Sequence, residues 1–317
     1  MTKNLFEFAT KELSQDAFLR WLFENWNCEE EDVKEASRSL ITEILKKEVD
    51  FEKIAQFNTS AQERNIDLLI KFVIDEVFYL IVIEDKTYSF SHDDQLIKYK
   101  SYVDNNITRI NAQYIYYKTN IISSDERNDV EQKGWEVFDI NLIYGIFSKL
   151  SRVKNNILAD YVEHIKKLYM DLTQQLPLLV KNWNPNHWTN FYHNNDLKIP
   201  EGIHFGYGNF RSQYIYLVFN KIDGWKKNPY GEVRSRDLVN DESKFSLRIL
   251  LYDTDKESLD KYLDEWKKKF GSSELFTLQN YRQQLAVNSI AEKIKTKSDL
   301  ERNLQRYLDE YARLMLN

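Results

Sequence analysis

Asp67, Glu84 and Lys86 are the residues of this 317-residue chain whose types and spacing could do chemistry. They come from two apolar runs, Arg64-Asn65-Ile66-Asp67-Leu68-Leu69-Ile70 and Leu80-Ile81-Val82-Ile83-Glu84-Asp85-Lys86. Each run reads as a buried β-strand with an acid at or near its end. On a strand, residues i and i+2 share a face, so Glu84 and Lys86 project together and Asp85 turns the other way. If the first strand pairs beside the second, Asp67 joins them. Two carboxylates and an ammonium converging at a strand end suit a divalent cation and a phosphodiester. Mg²⁺ takes a few carboxylate oxygens, keeps several waters and leaves positions for phosphate oxygens. Once bound, it acidifies a water and neutralises developing charge. A nearby lysine can orient or deprotonate that water, or stabilise the added negative charge. The competing reading is two ordinary strands with solvated charges at their ends, and Glu-x-Lys alone does not separate the two.

The flanking segments add to the pattern. Ser91 is a candidate N-cap with Asp93 and Asp94 in the first turn, so a helix is predicted from Ser91 to about Val103. Gln95 and Tyr99 then lie at i and i+4 on one face of it. Upstream, Glu12 stands just before an amphipathic helix predicted over 14–26, with Ala17, Phe18, Trp21 and Leu22 on one face.

This arrangement resembles the PD-(D/E)XK nuclease superfamily, over roughly residues 1–145. It looks closest to the bacterial branch with a Glu-containing first helix, an Ile-Asp-Leu strand, an Ile-Glu-Asp-Lys strand and a Gln-Leu-x-x-Tyr helix. The resemblance implies that Asp67 and Glu84 are metal-binding acids and that Lys86 is the catalytic lysine. It further implies that Glu12 completes the metal shell and that the backbone carbonyl of Asp85 is a ligand. Gln95 and Tyr99 match the helix motif that supports the site or touches nucleic acid. We expect Gln95 to hold Lys86 or a metal-bound water, and Tyr99 to contact the substrate backbone. His92 is a further candidate beside the substrate, although a helix-start hydrogen bond explains it more cheaply. Ile66 stands where the superfamily's name puts proline, which removes no reacting group. The implied cofactor is Mg²⁺ (or Mn²⁺).

Composition sets limits. Hydrophobic residues make up 42% of the chain, enough for sizeable cores, and the length suggests two domains. No apolar run approaches a transmembrane length and no signal-peptide pattern opens the chain, so a cytoplasmic protein is expected. The single cysteine, Cys28, allows neither an internal disulfide nor a thiolate metal cluster. A net charge of −6 argues against non-specific nucleic-acid coating, but an acidic metal site needs only a local basic rim.

The element order predicted for residues 1–150 is α/β, a restriction-endonuclease-like core with a mixed sheet flanked by helices. It comprises helices over 14–26 and 30–47, a strand over 49–57, the two site strands joined by a turn at Asp75-Glu76, the Ser91 helix, strands over 112–117 and 135–140, and a helix over 141–150. A connecting helix is predicted within 151–180, with Leu158, Tyr161, Ile165, Leu168 and Leu172 in helical register. Residues 181–317 read as a smaller α+β accessory domain of unknown function. Its expected strands lie over 203–207, 214–220 and 245–251, and its helices over about 255–270 and 280–316. Pro177, Pro185 and Pro200 punctuate an irregular aromatic segment.

Other features carry less. His187 and His193 among Trp188, Phe191 and Tyr192 fit no zinc spacing, and packing explains the aromatics better than base stacking. Gly206-Tyr207-Gly208 is too short for a phosphate loop. Arg282, Lys293, Lys295, Lys297, Arg302, Arg306 and Arg313 are interleaved with acids, so a solvated face is the default. The reading is a metal-dependent nuclease acting on DNA or RNA, with DNA placed ahead, homodimerisation left open, and a role as a bacterial or phage defence effector as one setting. The alternative is a catalytically silent nuclease fold that binds nucleic acid or protein.

Overall fold

The computed structural model describes residues 4–8, 12–87, 94–106, 110–150, 152–174, 176–208, 214–219, 230–234, 248–252, 264, 267–281, 284–289 and 294–315. The chain divides into two compact units, Met1–Gln174 and Gln175–Asn317.

The first unit is built on a five-stranded mixed sheet in sequence order: β1 (Ile54–Glu63), β2 (Ile66–Ile74), β3 (Val77–Lys86), β4 (Ile110–Lys118) and β5 (Glu136–Phe138). The first three strands form an antiparallel meander, whereas β3, β4 and β5 run parallel. Parallel neighbours need crossovers, and α3 (Gln95–Asn106) and α4 (Ser124–Gln132) lie between those strands in the chain. Two-residue turns make the meander. Arg64 and Asn65 both have positive φ (57° and 65°), as do Asp75 and Glu76 (48° and 66°). That is the backbone a tight hairpin needs to match the strands' right-handed twist. Arg64 and Asn65 are therefore a turn, where the apolar run suggested the start of a strand.

Alternation along the strands sorts the core into two layers. Leu68, Ile70, Phe72, Tyr79, Ile81, Ile83, Ile115 and Tyr117 pack with α1 (Glu12–Glu24), α2 (Glu31–Leu45), α5 (Ile140–Phe147) and α6 (Asn156–Thr173). Leu69, Leu80, Val82, Tyr114 and Tyr116 pack against α3 and α4 on the opposite face. In α6, Leu158, Tyr161, Ile165, Leu168 and Leu172 are all buried, and they belong to this unit's core. The first strand is displaced from 49–57 to 54–63 and carries a bulge between Ala55 and Asn58, with Gln56 at φ 53°.

The second unit holds a six-stranded antiparallel sheet in the order β10-β11-β9-β8-β7-β6. Its strands are β6 (Ile203–Gly208), β7 (Tyr214–Phe219), β8 (Tyr230–Arg234), β9 (Arg248–Tyr252), β10 (Phe276–Tyr281) and β11 (Gln284–Ser289). The expected 280–316 helix is corrected here. Its first part falls in the β10–β11 hairpin, rich in the alternating Leu, Val and Thr of strands, and among the described residues of that range the helix is α8 (Lys297–Met315). The aromatic segment is helical too. Pro185 occupies the first turn of α7 (Pro185–His193), and Asn184 and His187 form a reciprocal cap in which His187 Nδ1 accepts from the Asn184 amide at 3.0 Å. That bond gives His187 a structural role.

Glu76 sits in left-handed backbone with an exposed side chain, a conformation that costs an L-residue about 1–2 kcal/mol. Glu76→Gly is expected to stabilise the protein by about 0.5–1 kcal/mol after glycine's entropic loss. A urea melt with a raised midpoint and an unchanged slope is the outcome that checks the turn.

Candidate active site

The site is set by strand register. Leu68 pairs with Ile83, so the same antiparallel register carries Asp67 opposite Glu84 at the end of β2 and β3. Asp67 Oδ2 accepts the Asp85 amide hydrogen at 2.9 Å, and its Oδ1 accepts from Gln62 Nε2 at 3.2 Å. Glu84 is fully buried, and its Oε1 accepts from the Lys86 ammonium two residues on. Glu84 Oε2 is buried with no partner. Glu12, the first residue of α1, accepts the Thr87 amide hydrogen at 3.0 Å. Asp67, Glu84 and Lys86 thus come together on the α3 side of the sheet, with Glu12 reaching the end of β3.

Gln95 and Tyr99 also meet. Gln95 Nε2 donates to the Tyr99 hydroxyl at 2.7 Å, and that hydroxyl donates to the Asn65 carbonyl at 2.6 Å. Both bonds brace the turn leading into β2. Gln95, expected to hold Lys86 or a metal-bound water, here holds Tyr99, whose hydroxyl in turn holds backbone. Burial raises the Tyr99 hydroxyl's pKa first of all, and the Glu84 and Asp67 charges push it the same way against the Gln95 hydrogen bond. His92, Ser91 and Asp93 lie outside the described residues.

The sequence reading missed three side chains. Ala17, expected to face inward, is exposed, and Gln15 and Asp16 take the buried face of α1 together with Phe18, Leu19, Leu22 and Phe23. Gln15 donates its amide to Asp85 Oδ1, and the buried Asp16 carboxyl is electrostatically coupled to that of Asp85. The third is Lys118, in register with Lys86 on the neighbouring strand. Its ammonium pairs with Glu126 of α4 at 2.6 Å, and Tyr116 donates to the same carboxylate oxygen at 2.8 Å. Burial lowers the Lys118 pKa despite that partner. The missed signal was helical spacing: Glu12, Gln15 and Asp16 at i, i+3 and i+4 form one polar stripe.

The electrostatics record crowded acids. Burial, then the Asp67 charge, raises Glu84 to about 8, against the opposing pull of Lys86. Burial, then Asp67, raises Asp16 to about 7. Burial works against the Lys86 ammonium, but Glu84, Asp67 and Glu12 hold its pKa above the ordinary value. Among the described residues no three acid, imidazole or thiol groups stand at metal-holding spacing; the Lys86 ammonium is on one Glu84 oxygen. The donor set nonetheless fits a hard divalent cation. It consists of carboxylate oxygens, one of them buried and orphaned, in a field that resists a second negative charge.

A family model described as PD-(D/E)XK nuclease superfamily matches residues 3–312. Neither a curated protein nor a solved structure matches the chain. No helix among the described residues is long and apolar enough to cross a membrane.

Glu84 and Asp16 bind protons more readily folded than unfolded, so rising pH removes stability between their ordinary values and about 8. In EDTA the urea midpoint is expected to fall from pH 5 to pH 9. A divalent cation held by Glu84 should recover that residue's share of the loss above pH 8, by favouring the deprotonated carboxylate, and should leave the Asp16 share. A midpoint that stays flat or rises across this range, with no Mg²⁺ effect, would contradict the crowded-acid description.

With sheet, helices and paired acids in place and the match running over nearly the whole length, the chain belongs to the PD-(D/E)XK nuclease superfamily.

Proposed function

We propose that the protein is a metal-dependent nuclease that hydrolyses phosphodiester bonds, with DNA ahead of RNA as substrate. The observation that carries this reading is the convergence of Asp67, Glu84 and Lys86 at the paired ends of β2 and β3. Asp67, Glu84, Glu12 and the Asp85 carbonyl would hold Mg²⁺ (or Mn²⁺). When bound, the cation supplies an acidified water and neutralises charge on the phosphate.

The remaining chemistry falls to the side chains. In the described arrangement the Lys86 ammonium partly cancels the charge of Glu84. A cation held by Glu84 would leave that ammonium available to the attacking water or the phosphoryl group, where a preorganised positive charge is worth most. Its pKa, held high by three neighbouring acids, suits orienting a water and stabilising charge better than taking up a proton at neutral pH. Gln95 and Tyr99 act on the entrance to β2, keeping Asp67 in register, and His92 is placed near the substrate by sequence position alone. The second unit is proposed to supply substrate choice or regulation, as would suit a cytoplasmic defence effector.

Lys86→Ala should abolish cleavage of labelled DNA and RNA while leaving Mn²⁺ binding nearly intact, because an ammonium is no ligand. Asp67→Asn should weaken metal binding itself by removing a charged oxygen donor. Wild-type activity in both variants would falsify the nuclease reading. Gln95→Ala should lower turnover by roughly tenfold to a hundredfold, the scale of a lost positioning hydrogen bond. If its activity per folded molecule is unchanged, Gln95 belongs to the fold alone.

A further inference from the structure

Asp85 lies between two residues of the reacting group, yet its side chain points to the other side of the sheet. Strand alternation sends it into the α1/α6 layer, where Ile83 and Tyr117 are its same-face neighbours on β3 and β4. There it is 1% exposed. An apolar residue would be the ordinary occupant of such a position.

Polar groups from α1 surround it instead. The Gln15 amide donates to Asp85 Oδ1, and the Asp16 carboxyl, buried beside Gln15 on the same helix, is electrostatically coupled to the Asp85 carboxyl. Asp16 is itself 6% exposed. One oxygen of each acid, Asp16 Oδ1 and Asp85 Oδ2, is buried without a partner. Four residues earlier on the same helix, Glu12 accepts the Thr87 amide hydrogen. Helix α1 therefore grips the end of β3 at two successive points, one on the backbone past Lys86 and one on the side chain of Asp85.

Stability alone does not account for this arrangement. Buried acidic groups are often replaceable by well-packed apolar residues at no cost, or with a gain. What the acids supply is direction. The peptide on the amino side of Asp85 donates its N–H to Asp67 Oδ2 at 2.9 Å. Its carbonyl side leads to Lys86. Fixing the Asp85 side chain from behind fixes the rotation of both peptides, and with them the aim of Asp67 and Lys86.

We propose that Gln15 and Asp16 are positioning residues of the metal site, acting through the Asp85 side chain from the far face of the sheet. The inference rests on the metal-dependent reading above. Outer partners of this kind change metal affinity by about tenfold to a hundredfold when removed. Neither residue ligates the cation or touches substrate.

The test measures Mn²⁺ binding directly by electron paramagnetic resonance on the full chain, alongside thermal melts and cleavage as a function of Mg²⁺ concentration. Gln15→Ala and Asp16→Ala should bind Mn²⁺ at least tenfold more weakly, and should recover near-wild-type turnover at saturating Mg²⁺. Asp16→Asn keeps a hydrogen-bonding group toward Asp85 and should stay within about threefold of wild type in Mn²⁺ affinity. Wild-type Mn²⁺ affinity in Gln15→Ala and Asp16→Ala overturns the proposal. So does an Asp16→Asn protein as impaired as Asp16→Ala, since that pattern marks a ligand. If Asp16→Ala does not fold, Gln15→Ala and Asp16→Asn carry the decision. A wild-type protein that binds Mn²⁺ but cleaves neither DNA nor RNA sinks the nuclease reading and leaves this one to the affinities, whereas one that binds no Mn²⁺ overturns both.

Discussion

Everything at the site depends on the antiparallel pairing of β2 with β3. The side-chain period of a strand is two, so a one-residue slip of β2 would swing Asp67 into the α1 layer and bring Leu68 to the reacting face. Three features oppose that slip. The turns at Arg64-Asn65 and Asp75-Glu76 have only two residues each and leave no slack. Both faces of β2 are buried, so a slipped strand would misplace Leu68, Leu69 and Ile70 at once. Tyr99, supported by Gln95, holds the carbonyl of Asn65 at the strand's entrance. The motif on α3 and the acid on β2 are thus mechanically one object, although 28 to 32 residues separate them in the chain.

The cost of the site is written in its burial. Glu84, Asp85, Asp16, Lys86 and Lys118 are all charged or chargeable residues shut away from water, where an unpaired charge is expensive. Pairing offsets part of it: Lys86 serves Glu84, and Glu126 serves Lys118. The rest remains as raised acid pKa values and orphaned oxygens on Glu84, Asp85 and Asp16. A protein interior tolerates such groups where something it binds will satisfy them, or where their direction matters more than their energy. The proposed metal site would make Glu84 the first case, and the proposed positioning role of Asp16 and Asp85 the second.

How legible all this was in the sequence depended on the range of the interaction involved. Asp67, Glu84 and Lys86 could be placed because strand alternation is local, and the α6 register of Leu158, Tyr161, Ile165, Leu168 and Leu172 could be placed because its stripe is purely apolar. Helix α1 was located but turned by one position, because an apolar-stripe rule treats Gln15 and Asp16 as surface and promotes Ala17 in their place. Only the polar partner that β3 presents, Asp85, reverses that choice, and it lies 70 residues away from Gln15. The β10–β11 hairpin was misread for a related reason. Its intrinsic strand preference competed with the strong helical pattern of α8 directly after it, and pairing with β9 settles the outcome.

The family match passes from residue 3 to residue 312 without regard for the boundary near residue 174 between the two units. Each unit nevertheless has a core of its own. In the second, Leu300, Leu304, Tyr307, Leu308 and Tyr311 of α8 are buried, and rings from Phe270 and Phe276 meet Tyr311 and Tyr307. Under the proposed nuclease reading the acids and the lysine would meet only the phosphodiester, a group common to every nucleic acid, so they carry no sequence selectivity of their own.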